Sequence, residues 1–312
     1  MKNSAFKKRL LSIIPTFFGV TLLLFLLLKL SPGDPVNIIV GPRASEEVIS
    51  LYKEKLHLDA PFFVQYFHYM KMIFTGDFGR SYFTNENVFN ALLSKLPNTL
   101  MLAVFSMITG TFLGIVLGIL ASLKRGGILD KILSSVAVLF ISTPVFWTAI
   151  MLVLVFSILL DWTPASAIGD AGISAFILPA LVLGSRSAGY IARLTRSSMI
   201  EALSADYIQT ALAKGVSKWK IVIKHAFRNS LIPVITLIGI DFGSYLNGSV
   251  LTEKIFGIDG VGRYAINAIL NRDIPVIMGT VILGAFIFIT MNLLVDVLYL
   301  KLDPRVSAAA KN

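Results

Sequence analysis

Six runs of roughly 20 apolar residues dominate this 312-residue chain. Each is long enough to cross, as a helix, the roughly 30 Å of hydrocarbon at the centre of a bilayer. They cover approximately Leu10–Leu30, Leu96–Ser122, Ile132–Leu160, Ile173–Ile191, Leu231–Leu251 and Ile274–Leu300. Composition agrees: 55% of residues are hydrophobic and only 15% are charged, against about 25% charged in soluble domains. Lys7, Lys8 and Arg9 precede the first run as they would in a secretory signal. That run is too long for a signal core, however, and Ser31-Pro32-Gly33-Asp34-Pro35 offers no small-x-small cleavage site, so it reads as a retained span. The expected fold is all-α and integral to the membrane.

The net charge of +10 does not point to nucleic acid, because the basic residues are scattered through short loops between the spans. That pattern suits membrane topology and anionic headgroups. Lys2, Lys7, Lys8, Arg9, Lys124, Arg125, Lys131, the run from Arg193 to Arg228, Lys301, Arg305 and Lys311 fall on one side. On the other side, Asp161–Gly172 has no lysine or arginine, and in Thr252–Asp273 the residues Lys254, Arg263 and Arg272 are offset by Glu253, Asp259 and Asp273. The basic side is therefore expected to be cytoplasmic, with both termini inside. There are no cysteines, and the three histidines, His57, His68 and His225, lie far apart, so neither a disulfide framework nor a metal cage is expected.

The linear organisation is a cytoplasmic N-terminus and first span at 1–30, then an extracytoplasmic region at 31–95. A five-helix core at 96–305 follows, containing a long inner loop at 193–230, and a short tail closes the chain at 306–312. In the outer region Ser45 is positioned to cap a short helix ending near Leu56. Phe62, Phe63, Tyr66, Phe67, Met70, Ile73 and Phe74 then form an aromatic stripe at helical spacing. That helix would lie on the outer headgroup layer or pack on the chain itself as a small helical cap.

In the inner loop, Ser204 is positioned to cap a helix Ala205–Ala213 ended by Gly215, and Ser217 to cap a second helix Lys218–Arg228. The two would expose Tyr207, Ile208, Ala211, Leu212 and Trp219 among Lys214, Lys218, Lys220 and Lys224. Such a face either docks a partner or tucks beneath the chain's own bundle.

At this loop the chain resembles the permeases of binding-protein-dependent ABC importers, and within them the dipeptide, oligopeptide and nickel branch. The resemblance rests on Ser204-Ala-Asp-Tyr-Ile-Gln-Thr-Ala-Leu-Ala-Lys-Gly-Val-Ser217 and Lys224-His-Ala-Phe-Arg-Asn-Ser-Leu-Ile-Pro233. Against the general loop motif E-A-A-x3-G-x9-I-x-L-P, the first places hold Gln209, Thr210 and Ala211. The glycine is Gly215, and His225-Ala-Phe-Arg228 replaces the last four. The branch's own Thr-Ala-x-Ala-Lys-Gly and Arg-Asn-x-Leu-Ile-Pro signatures are intact. Similar marks run through Arg9-Leu-Leu, Leu30-Ser-Pro-Gly-Asp-Pro35, Gly76-Asp-Phe-Gly-Arg-Ser81, Leu96-Pro-Asn-Thr-Leu100, Phe256-Gly-Ile-Asp-Gly-Val-Gly-Arg263 and Asp303-Pro-Arg305.

The resemblance implies a six-helix permease of the type I importer fold, in the inner membrane. It implies a heterodimer with a second homologous permease, two cytoplasmic ATPase subunits below and an extracytoplasmic solute-binding protein above. Tyr207, Ile208, Thr210, Ala211, Ala213, Lys214, Gly215 and Trp219 would form the ATPase-coupling loop. ATP and magnesium would belong to the ATPases. This chain has no G-x-x-x-x-G-K-[S/T] loop with which to bind nucleotide and is expected to hold no cofactor of its own. The solute expected from the branch is a di- or oligopeptide, with glutathione and nickel chelates as alternatives. A nickel site would favour imidazoles within the spans, and all three histidines fall outside them.

Ionisable groups at membrane depth are candidates for function. Asp241, Ser244, Tyr245, Gly248 and Thr252 share one face of the fifth span, and Arg186 lies at neighbouring depth in the fourth. The stripe either lines a translocation path or forms an interhelical seam in which Asp241 pairs with Arg186. Gly110, Gly114 and Gly118 of the second span, with Gly184, Ser185, Ala188 and Gly189 of the fourth, suit close helix packing. Asn292 and Asp296 are placed to pair with Arg193 or Arg196. An ion-coupled transporter would be expected to show internal repeats. An intramembrane enzyme would need a nucleophile–base or metal constellation at depth. Neither is visible in the sequence.

Overall fold

The computed structural model describes residues 2–30, 36, 45–55, 59–168 and 172–302, of which the side chains at 2–13, 28, 48, 52, 55, 232, 240, 243, 244, 246–248, 292 and 295–302 lie outside the description. The described chain is helical, relieved only by an isolated bridge between Arg80 and Asn87. Helix α1 spans Lys2–Leu30, α2 Glu46–Lys55, α3 Phe62–Thr75 and α4 Val88–Leu123. Next come α5 at Ile128–Ser142 and α6 at Val145–Leu152, the latter running into a π-helical stretch at Val153–Leu159. A 3₁₀ turn at Gly172–Phe176 leads into α7 at Ile177–Ser204, followed by α8 at Asp206–Ala213. Helix α9, Lys218–Lys220, passes through a π-helical stretch at Ile221–Phe227 into α10 at Arg228–Gly248. The chain ends with α11 at Val250–Phe256, α12 at Val261–Asn271 and α13 at Ile274–Leu302.

Three of these helices are long and apolar enough to cross a membrane: α4, Gly172–Ser204, and Ile274–Met291 within α13. Counting each bent pair as one span makes five, and the described apolar part of α1 is the shorter Ile14–Leu27. The third expected span is not straight. Ile128–Ser142 and Val145–Leu159 meet at 109°. Pro144 disfavours a helical Thr143 before it, and Thr143 is extended at φ −78°, ψ 129°. At about 1.5 Å per residue neither leg alone matches the hydrocarbon thickness.

The chain divides into two compact units, Met1–Pro97 with Asp259–Ile289, and Asn98–Ile258 with Thr290–Asn312. In the first, Val88, Leu92, Ala268 and Val276 form a buried cluster against Phe78, Tyr264 and Leu283. Asp273 accepts from the Ser81 hydroxyl and the Tyr82 amide, tying the Gly76–Ser81 motif to the start of α13. Burial, reinforced by Asp273, pushes the Tyr82 phenol up to about 12. Lys95 donates to both oxygens of Asp259 at 2.9 and 2.8 Å and lies 5.2 Å over the Tyr264 ring.

The aromatic helix α3 packs on α1. Phe25 meets Phe62, Tyr66 and Tyr69 at ring separations of 5.3, 5.7 and 5.8 Å, and the Thr21 and Tyr66 hydroxyls are 2.9 Å apart. The opposite side of α3 leaves Phe63, Phe67 and Phe74 exposed. Gly76 ends the helix in the left-handed conformation.

In the second unit α7 is central, with 72% of its span buried against 28% of α4. It packs on α5, α10 and α6. The glycine stripe explains how α4 approaches it. A Cβ at Gly110 would lie 2.7 Å from the Gly184 carbonyl, one at Gly114 2.6 Å from Ile191, and one at Gly118 2.6 Å from Thr195. The opposite face of α4 presents Val104, Ile108, Phe112, Val116 and Leu120 outward at every fourth position. Small residues thus face protein and large apolar ones face outward, the division expected of a membrane helix.

Candidate functional site

The 193–230 connection is more continuously helical than its sequence suggests. Helix α7 continues to Ser204, whose hydroxyl donates back to the carbonyls of Ile200 and Glu201 instead of capping the next helix. Ala205 is the N-cap of α8, extended and without a side-chain bond. Ser217 occupies the N-cap position of α9 but also makes no side-chain cap bond. The second helix does not stop at Arg228, because it runs through Ile221–Phe227 directly into α10. The bend comes later: Lys218–Leu231 and Pro233–Gly239 meet at 50°, where Pro233 removes a backbone donor and crowds the preceding turn.

Between the two helices Gly215 has φ +75°, and the position its Cβ would occupy is open. The glycine is thus demanded by backbone conformation and not by crowding. The expected apolar face splits in two. Ile208 and Ala211 are buried in a cluster with Ile221 against Leu203 and Val216, because their i, i+3 spacing turns them onto the following helix. Tyr207, Leu212 and Trp219 remain exposed, Trp219 at 72%. Thr210, Ala213, Lys214 and Gly215 are exposed beside them. Asn229 donates to the Tyr207 hydroxyl at 3.0 Å.

Eight residues before the end of α7, Arg196 binds Asp130 of α5 through two hydrogen bonds of 2.6 and 2.7 Å. The Gly126 amide and the Ser134 hydroxyl complete the carboxylate's partners. Arg196 is therefore engaged with α5. Asn292 and Asp296, its expected partners, have side chains outside the described residues, as do Ser244 and Gly248, and Asp303-Pro-Arg305 lies wholly outside them.

Of the polar stripe of α10, Tyr245 is buried and Asp241 half-buried. Asp241 is hydrogen-bonded to Ser187 and senses Arg186 only as a nearby charge, and Tyr245 is also bonded to Ser187. Among the described ion pairs Arg186 makes none with Asp241, and its side chain is exposed. The other Asp241 oxygen is buried and has no hydrogen-bond partner among the described residues. Tyr245, Ser249, Thr252 and Glu253 are all at most 5% exposed.

Glu253, which the sequence places in a solvated outer loop, is fully buried and accepts from Thr99 at 2.9 Å and Ser249 at 2.7 Å. Its signal was present: Asp241, Tyr245, Ser249 and Glu253 recur at every fourth position, beyond the apparent end of the apolar run. Ser187 and Asp130 carried no comparable local signal.

Residues 114–308 match the family model described as binding-protein-dependent transport system inner membrane component. Residues 4–103 match that of the N-terminal part of such membrane components. Over 299 residues the chain is 41% identical to the glutathione transport system permease protein GsiC of Escherichia coli K12, covering 96% of this chain and 97% of that protein. Identity to GsiC of Salmonella typhimurium LT2 is 42% over the same shares. Among solved structures, an inward-facing MetNI methionine ABC transporter aligns with a TM-score of 0.58 at 17% identity, over 68% of this chain and 96% of that one. An amino acid ABC transporter aligns at 0.52 and 18% identity, over 68% of this chain and 94% of that one. These two share the fold.

Proposed function

Because the chain belongs to the family of binding-protein-dependent transport system inner membrane components, we propose that it forms half of the translocation path of an ATP-driven importer for glutathione. As a member of this family, the chain is a multi-pass inner-membrane permease subunit of an ABC importer and is not itself catalytic. An ATPase and a solute-binding protein are its implied partners. A general di- or oligopeptide was the expectation, and the near-full-length likeness to glutathione permeases favours the alternative, itself a tripeptide.

In this reading the chain crosses the membrane six times with both termini inside, pairs with a second homologous permease and stands on two ATPases that hold the ATP and magnesium. Tyr207, Leu212 and Trp219, with Lys214 and Gly215, form the surface on which an ATPase acts. Ile208 and Ala211 transmit the displacement by their packing on Ile221. Because Lys218–Gly239 is helix throughout apart from its 50° bend, motion at the docking face reaches Asp241 through backbone and not through a slack loop.

The test is uptake by the complete transporter in proteoliposomes with its binding protein. Labelled glutathione should accumulate only with internal ATP and be outcompeted by unlabelled glutathione at concentrations where dipeptides do not compete. Preferential uptake of dipeptides would return the solute to the general peptide class. For the orientation, an impermeant maleimide applied outside intact cells should label Asn85→Cys and spare Lys218→Cys.

A further inference from the structure

A residue of the Leu96–Leu100 motif and residues just before the Phe256–Arg263 motif meet at a buried carboxylate. Glu253 of α11 is fully enclosed, and its Oε1 accepts from Thr99 of α4 at 2.9 Å and from Ser249, one turn earlier, at 2.7 Å. Thr99 is 2% exposed and Ser249 and Thr252 are completely buried. The Thr252 hydroxyl, on the same turn, has no partner among the described residues. Glu253 lies twelve residues beyond Asp241, which at about 1.5 Å per residue places it about 18 Å farther toward the outside.

The far end of α11 is fastened as well. The Ser166 hydroxyl and the Ala167 amide both donate to the Phe256 carbonyl, at 3.1 and 2.8 Å. Gly257 closes the helix in the left-handed conformation, where a Cβ would strike Ser166 at 2.7 Å. Helix α11 also packs on α6 and α7. A seven-residue helix is thereby held over three longer ones by a hydroxyl–carboxylate clamp at one end and an outer loop at the other.

We propose that Glu253 is a positioning residue for transport: its clamp with Thr99 and Ser249 seats α11 across the outer end of this subunit's half of the path and holds that end closed until solute arrives. The inference rests on the permease reading given above. A permanent seam here would be better filled with apolar side chains, since a buried carboxylate is costly unless donors satisfy it. An apolar seam, however, must expose its surface to water each time it opens. A carboxylate and two hydroxyls exchange protein partners for water at little net cost. The clamp is thus satisfied both when closed and dry and when open and wet, and poorly satisfied between, which is the requirement for a two-position element.

The experiment uses the complete transporter in nanodiscs with its binding protein. The chain has no native cysteine, so Thr252→Cys is a unique reporter in it. Without solute or nucleotide it should react slowly with an impermeant maleimide. Glu253→Leu keeps bulk but takes this acceptor from the buried Thr99 and Ser249 hydroxyls, which only water in the open position replaces; that loss outweighs the added apolar surface and should raise the rate about tenfold, the equivalent of one lost hydrogen bond. It should also raise solute-independent ATP hydrolysis and abolish the further increment caused by loaded binding protein. Glu253→Gln keeps Oε1 as an acceptor and should restore parental labelling and stimulation, which a residue needed only for its charge would not allow. If Glu253→Leu does not assemble, Thr99→Val must show the same direction of change, and parental labelling in that variant overturns the clamp. Parental labelling and stimulation in Glu253→Leu, or a Glu253→Gln as open as Glu253→Leu, overturns it too. A parental complex without any solute-stimulated hydrolysis would overturn the permease reading, and the clamp with it.

Discussion

Arg196 holds Asp130 through two parallel hydrogen bonds, Nε to Oδ1 at 2.6 Å and Nη2 to Oδ2 at 2.7 Å, across 66 residues of sequence. The pair fastens the start of α5 to the last third of α7, ahead of α8 and α9. Bidentate pairs of this kind are stronger and more directional than single ion contacts. The Asp130 side chain is 5% exposed and that of Arg196 32%, so solvent weakens the pair only partly. Asp130→Ala and Arg196→Ala should each destabilise the detergent-solubilised complex by about 1–3 kcal/mol. A double-mutant cycle on thermal unfolding should show a coupling of about 1 kcal/mol or more, and additivity within about 0.5 kcal/mol would argue against the pair.

The split face of α8 and α9 separates a packed residue from one on the proposed docking surface. Ile208 is 3% exposed and Trp219 72%. Ile208→Ala should therefore cost about 2–4 kcal/mol of stability, as for other buried aliphatic truncations. Trp219→Ala should change stability by no more than about 0.5 kcal/mol, while lowering solute-stimulated ATP hydrolysis and uptake together. Thermal melts run beside proteoliposome assays distinguish the two. A Trp219→Ala variant with full stimulated hydrolysis would remove that residue from the docking face.

Gly215 tests the connection between conformation and coupling. Its φ of +75° imposes about 1–2 kcal/mol on a side chain with a Cβ. Gly215→Val should insert normally and still bind its solute-binding protein, but lose coupled hydrolysis and uptake. Gly126→Val is a matched control, since Gly126 has φ +79° with equally open space and lies in a different inner turn. It should lose similar stability and keep the ratio of uptake to hydrolysis. Equal uncoupling in both variants would mean that backbone strain anywhere on the inner side is enough.

At the membrane interior, Ser187 should matter more than Arg186. Ser187→Ala strips a hydrogen bond from both Asp241 and Tyr245 and leaves buried polar groups unsatisfied, a loss of about 1–3 kcal/mol. Arg186 is exposed and makes no described ion pair with Asp241, so Arg186→Gln should cost less than about 1 kcal/mol. Thermal stability of the two variants in mild detergent decides the order. A larger loss from Arg186→Gln would restore the direct ion pair that the sequence suggests.

What the amino-acid sequence determined by itself is local in origin. Helix α4 follows from a run of apolar residues, since hydrocarbon forces the backbone to bond to itself along one segment. The left-handed turn at Gly215 and the glycine face at 110, 114 and 118 are equally legible, one from a single residue's freedom and the other from a four-residue period. The family motifs carried the functional class, because they recur at fixed places along the chain.

Tertiary structure decided which neighbour each polar group meets. Nothing near Asp130 in sequence selects Arg196, and nothing near Asp241 selects Ser187 over Arg186. Glu253 looks solvated beside Lys254 and becomes fully buried only because α4 brings Thr99 to it from 154 residues away. Ile208 and Trp219 look alike as apolar residues on short helices, and only the path of Val216 and Ile221 covers one and leaves the other bare. The cost of placing a helix in a bilayer adds up residue by residue along one segment. The partner of a buried carboxylate depends on how separate helices pack, which no single segment encodes.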